Sequence, residues 1–175
     1  MKVLILALLL VSCGVDDQSR KPIANNLPSL PNDEAMQLIV NEFYSNANTL
    51  HMKVNYNVHT IYFVDEFAVE DIASADKPED IIGLCHHRSS GAYIEIKKPF
   101  WDAATSQTRR TLVFHELGHC ALGIRKHAPD DSGAIMEAVI IPDWLTTSNW
   151  TALVKDLFKS SPLNLIENEN VIIIN

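Results

Sequence analysis

Basic residues are scarce in this chain of 175: 14 Lys and Arg stand against 22 Asp and Glu, for a formal net charge of -8. Phosphate backbones are held by clustered cations, so the balance argues against a nucleic-acid partner, and the isolated pair Arg109 and Arg110 does not reverse it. Glycine and proline number only 6 and 8, and nothing in the composition points to disorder, a collagen-like chain or a repeat array. A bilayer-spanning run is missing from the start of the chain too: the apolar stretch there, Val3 to Val11, is too short to cross as a helix. Cysteine occurs three times. What is abundant is apolar side chain, 47% of the total, enough for one globular domain with its own core.

A short apolar run behind Lys2 reads as a secretory signal peptide over residues 1–12. It ends in "LVSC", Leu10 to Cys13, which resembles the bacterial lipoprotein box, where the signal is removed and the cysteine receives lipid. The resemblance implies a lipid anchor on Cys13 and a place in the bacterial cell envelope. Gly14 after the cysteine, where aspartate would favour the inner membrane, implies the outer membrane. With Cys13 lipidated, Cys85 and Cys120 are the remaining thiols, and an oxidising compartment lets them pair. Two buried free cysteines are the open alternative.

From Gly14 to Pro31 the chain is polar and broken by Pro22, Pro28 and Pro31, the pattern of a flexible tether between a lipidated Cys13 and a domain over 32–175. Asn32 or Asp33 can cap a first helix to about Asn48, with Ala35, Leu38, Ile39, Glu42, Phe43 and Ala47 as its inner stripe. Val58 to Phe67 reads as a buried strand, followed by an acidic connection. Residues 81–85 and 92–97 read as a hairpin with a longish loop; Ile94 and Ile96 alternate with Tyr93, Glu95 and Lys97. Thr105 or Ser106 can cap a helix that runs to a stop at Gly123. A long loop follows, then a last helix from Thr147 or Ser148. The order of elements is α+β. The terminal Val171–Asn175 fits either an edge strand or a packed tail.

"HELGH", residues 115–119, lies inside that capped helix. Residues four apart share one helix face, so His115 and His119 can offer two imidazoles to one ion. Glu116, one position round, reaches a water on that ion without competing as a ligand. Zinc with three protein ligands keeps a fourth position for water, and a neighbouring carboxylate can shuttle the water's proton. Gly118 holds a place where a larger side chain could crowd the metal.

With His127 and the "SGAIMEA" segment added, the chain resembles the metzincin branch of zinc metalloproteases, and within it the small bacterial lipoprotein type. The resemblance implies a zincin-like fold: a small mixed sheet packed on the active-site helix, first and last helices, and a Met-turn. It implies His127 as third ligand, Met136 as the hydrophobic floor of the Met-turn, and the strand Ala92–Lys97 as a sheet edge to which a peptide adds. Two departures from the family pattern are visible. Leu122 stands where the family has glycine, with Gly123 one later, and His127 lies eight residues after His119 where the family has six. Asp130 and Asp131 stay open as alternative third ligands, while Glu137 is too near the turn to be preferred. His86 and His87 flank the hairpin and could face the cleft, though exposed loop histidines are the commoner explanation; His51 and His59 read as surface or packing residues. A bond between Cys85 and Cys120 would pin the sheet to the zinc helix.

The expected activity is hydrolysis of peptide bonds in a peptide or protein substrate, with Zn2+ as cofactor and Glu116 as base. The alternative is a non-catalytic zinc-containing envelope lipoprotein that binds a peptide or protein partner. A scaffold with incidental histidines is a further rival.

Overall fold

In the computed structural model of the chain, which describes residues 28–54, 58–73 and 78–165, the first helix starts where the sequence supplies a cap. The signal segment, Cys13, most of the tether and the terminal 171–175 lie outside the described residues. Asp33 Oδ1 accepts the Met36 N–H at 2.9 Å, and α1 runs Glu34–Thr49. Satisfying a first-turn donor this way is worth about 1 kcal/mol. The buried stripe is Met36, Ile39, Val40, Phe43, Tyr44 and Ala47. It is rotated from the line the sequence suggests, so that Leu38 is left 63% exposed.

β1 (Val58–Val64), β2 (Gly83–Arg88) and β3 (Gly91–Lys97) form one mixed sheet in the order β1-β3-β2. β3 lies parallel to β1, with Ile61 beside Ile94, and antiparallel to β2, with Cys85 beside Ile94. Alternation is as the sequence suggests: Ala92, Ile94 and Ile96 are buried while Tyr93 and Glu95 face out. Two readings are corrected. Ala92–Lys97 is the middle strand and not an edge; the edge beside the helix layer is β2. The hairpin loop is also short, only Ser89 and Ser90, because the strand extends through His86 and His87 to Arg88, which pairs with Gly91. Those two histidines therefore belong to a strand and not to a loop. Residues 28–31 of the expected tether lie on the domain: Ser29 bridges Thr60 on the outer edge of β1, donating to the His59 carbonyl at 2.8 Å.

The short helix α2 (Val69–Ile72) occupies the acidic connection. α3 (Lys98–Ala103) follows β3 directly, with Pro99 in its first turn, where the missing N–H costs nothing. It buries Trp101, whose indole N–H donates to Asp33 Oδ2 at 3.1 Å. Thr105 then caps α4 (Ser106–Cys120) by accepting the Thr108 N–H. α4 is covered all round: Thr111 to Gly118 are buried without a break, between β2 and β3 on one side and α1 and α5 on the other. Each fully buried aliphatic side chain it contributes is worth about 1.5–3 kcal/mol of apolar transfer. Phe43, Phe114 and Phe158 meet around its far side.

α4 ends earlier than the sequence suggests, at Cys120, with Gly123 left-handed (φ 71°) two residues past the Ala121 cap. The Ile124 N–H returns to the Gly118 carbonyl at 3.1 Å, closing the helix end. α5 (Asp143–Lys159) begins earlier than the Thr147 or Ser148 start suggested by the sequence, and its first residue, Asp143, accepts from the Thr105 and Thr108 hydroxyls of the α4 start. A final turn of helix, α6, covers Pro162–Leu165. Among the described residues no helix is long and apolar enough to cross a membrane.

Candidate metal centre

Four local features aim three imidazoles at one point. His115 and His119 sit one turn apart on α4. His115 donates from Nδ1 to the Ile135 carbonyl at 2.8 Å, and His119 from Nδ1 to the Ile124 carbonyl at 2.6 Å. A carbonyl only accepts, so both rings carry their proton on Nδ1 and leave Nε2 as a bare lone pair. The left-handed Gly123 then folds the chain back so that His127 joins them. His119 Nε2 lies 3.1 Å from His115 Nε2 and 3.3 Å from His127 Nε2.

Lone pairs so close repel unless a cation lies between them. A tetrahedral ion with nitrogen ligands at 2.0–2.1 Å has an N···N edge of about 3.3–3.4 Å, close to both distances. Burial pushes the His115 imidazole down to about 4, against the opposing pull of the Ile135 carbonyl, and lowers His119 as well. Neutral rings are what a metal needs. His115, His119 and His127 could therefore hold a metal ion.

The competing third ligands are elsewhere. Asp130 and Asp131 are exposed, and the ligand cluster omits both. Glu137 is buried but committed to its own turn, accepting from the Ser132 hydroxyl and from the Gly133 and Ala134 N–H groups. That turn carries Ile135 and Met136, and Ala128 next to His127 donates to the Met136 carbonyl at 2.7 Å. One loop thus fixes the first and third imidazoles together. Met136 is 4% exposed beneath α4. Gly118 is small on its account: a Cβ there would stand 2.4 Å from the Met136 sulfur. The glycine clears room for the methionine, a correction to the reading that it spares the metal.

Glu116 points from α4 into the same cleft, which also includes Gly83 of β2. A Cβ on Gly83 would fall 2.5 Å from Glu116 Oε1, so the carboxyl occupies the space a strand side chain would take. Burial alone raises its pKa to about 8. Sequence reasoning missed Gly83 as part of the site, although a lone glycine inside a strand pattern is the known mark of close approach. Two residues along β2, Cys85 is bonded to Cys120 of α4, with a Cα–Cα distance of 5.6 Å. The edge strand is therefore fastened to the helix that carries His115, Glu116 and His119. His87 lines the cleft as well, while His86 faces the opposite side of the sheet and stacks on Tyr93 at 4.4 Å.

No family model, no curated protein and no solved structure matches the chain.

Proposed function

We propose that the protein is a zinc metallopeptidase of metzincin-like, zincin-type construction, held by a lipidated Cys13 in the bacterial envelope, most simply at the outer membrane. The observation that carries this reading is the convergence of three imidazole Nε2 atoms beside a buried, otherwise uncommitted carboxyl. An all-imidazole set favours zinc over the oxygen-seeking magnesium and calcium. Among the described residues the cluster has three ligands, the number that marks a catalytic rather than a closed structural site. Zinc held there supplies a Lewis acid that lowers the pKa of bound water to about 7.

The remaining work falls to this chain's own residues. Glu116 takes a proton from the attacking water as the new C–O bond forms, then delivers it to the amine nitrogen as the C–N bond breaks. Its place at the back of the cleft, against Gly83, keeps the carboxyl beside the reacting atoms for both transfers. Ile135 and Ile124, through their carbonyls, keep the His115 and His119 rings in the donor tautomer and fix their orientation. β2, as the sheet edge at the cleft, offers main-chain groups to an extended peptide.

Purified protein should contain about one zinc per chain by elemental analysis and cleave peptides from a broad library. E116Q should retain the zinc and lose at least about 100-fold in rate. Zinc without turnover in the wild type would leave a binding lipoprotein, and absence of stoichiometric metal would leave a scaffold.

A further inference from the structure

The three other arginines among the described residues are committed within the fold. Arg88 donates to the Tyr93 hydroxyl at 2.7 Å, Arg109 to the Trp101 carbonyl at 2.7 Å, and Arg110 to Glu42 at 2.8 Å. Arg125 alone has no ion pair or hydrogen bond among the described residues. It lines the cleft of about 640 Å³ that holds the three imidazoles. Much of that cleft is apolar, walled by Ile81, Ile82, Leu84, Leu112, Ile124 and Ile140. Of its two carboxyls, Glu137 is engaged by its turn and Glu116 is set at the back against Gly83. Arg125 is thus the one fixed cation of the lining, in a chain of net charge -8.

Its stem is also held in place. Ile124 is tied to Gly118 through its N–H and to His119 through its carbonyl, and past His127 the Ala128 N–H is tied to the Met136 carbonyl. A side chain with no partner of its own, rooted between two anchored residues at a cleft mouth, is free to engage whatever enters. Guanidinium binds carboxylate through paired, charge-assisted hydrogen bonds, and apolar walls strengthen such a contact by lowering the local dielectric.

We propose that Arg125 is a specificity-determining residue that engages a carboxylate of the peptide lying in the cleft, alongside an apolar side chain against the isoleucine walls. The inference rests on the peptidase reading of the cleft. The carboxylate can come from an Asp or Glu side chain or from a C-terminus.

The test uses zinc-loaded E116Q protein and fluorescent peptides with an apolar centre. Each carries Glu, Gln or Lys at scanned flanking positions, and each is made with a free or an amidated C-terminus. Carboxylate-bearing peptides should bind about tenfold tighter than their Gln or amide counterparts. R125Q should remove the preference and R125E should turn it toward Lys, with zinc content equal in all three proteins. The scanned Glu arm identifies a side-chain source, the acid-against-amide arm a terminal one. Equal binding of Glu, Gln and Lys peptides, or a preference that survives in R125E, overturns the inference and leaves the peptidase reading intact. If no peptide binds and the wild type cleaves none, both are overturned together.

Discussion

Among the described residues, two clusters bring the ligand atoms of three side chains within 4.8 Å of one another: His115, His119 and His127 in the cleft, and Asp71, His86 and Glu95 on the outer face of the sheet. They are alike in that distance and opposite in chemistry. In the cleft, the hydrogen bonds of His115 and His119 go to main-chain carbonyls, and lone pairs are left facing lone pairs. On the sheet, the two nitrogens of one imidazole face two different carboxylates, Glu95 at 3.0 Å and Asp71 at 3.9 Å. There the ring nitrogens already have carboxylate partners. Tyr62 donates to the remaining Glu95 oxygen at 3.0 Å; burial first, and then that carboxylate, push its hydroxyl up to about 12. What separates a metal site from an ion-pair clamp is therefore which atoms remain unsatisfied after the hydrogen bonds are assigned.

The largest effect should come from attacking each cluster in turn. H119A or H127A should lower zinc affinity at least about 100-fold, whereas H86A should leave it unchanged, as read by competition with a chromophoric chelator. Ligand bound at a thousandfold excess over its dissociation constant adds about 4 kcal/mol of stability. EDTA should thus lower the melting temperature of the wild type and of H86A by about 10 °C and leave H119A unmoved. Zinc lost from H86A and kept by H119A would reverse the assignment of the two clusters.

A second, smaller effect concerns how each region holds its acid. Glu95 is held by donors, Tyr62 and His86; Glu116 is held by a gap, the missing side chain of Gly83. G83A places a methyl where Glu116 Oε1 now stands, at 2.5 Å. The carboxyl must move, and a displacement of about 1 Å at a reacting group costs about 100-fold in rate. Zinc content should stay at the wild-type level, because the nearest atoms the new methyl meets all belong to Glu116. A G83A protein that cleaves at the wild-type rate would remove Glu116 from the chemistry.

Much of this site can be read from the sequence because helix geometry is local. The spacing of His115, Glu116 and His119 fixes their faces on any helix, and Thr105 marks where that helix starts. The α+β order and the strand alternation around Ile94 follow from equally local patterns, while the pairing of Cys85 with Cys120 is reached only through the expectation of an oxidising compartment. What is not legible depends on contacts across the chain. The strand order that puts β3 in the middle is decided by pairing partners 30 or more residues away in β1, as Ile61 with Ile94. The partner of Gly118 is Met136 on another loop, and Leu38 against Val40 on α1 is decided by where α4 lies. The resemblance points to His127 and leaves Asp130 and Asp131 open; what separates them is the fold-back past the left-handed Gly123, a contact across the chain.

The subtlest difference between the two regions should appear in metal-free protein as pH rises. Above about 4.5 the unfolded chain has released the Glu116 proton, while the folded chain keeps it until about 8. The folded state binds more protons across that window, so its stability falls as pH climbs through it. The buried His115, at about 4 when folded against 6.5 when free, acts in the opposite sense, but only below 6.5. Between pH 6.5 and 8 the carboxyl acts without the opposing imidazole, with an expected loss of about 1–2 kcal/mol in urea unfolding carried out in EDTA. E116Q should flatten that slope, because it removes the buried carboxyl. Zinc should flatten it as well, since a dication in the cleft holds the neighbouring carboxyl ionised in the folded state too. A slope that persists in E116Q would mean that the proton belongs to another group, and that the carboxyl beside the three imidazoles is already ionised without a metal.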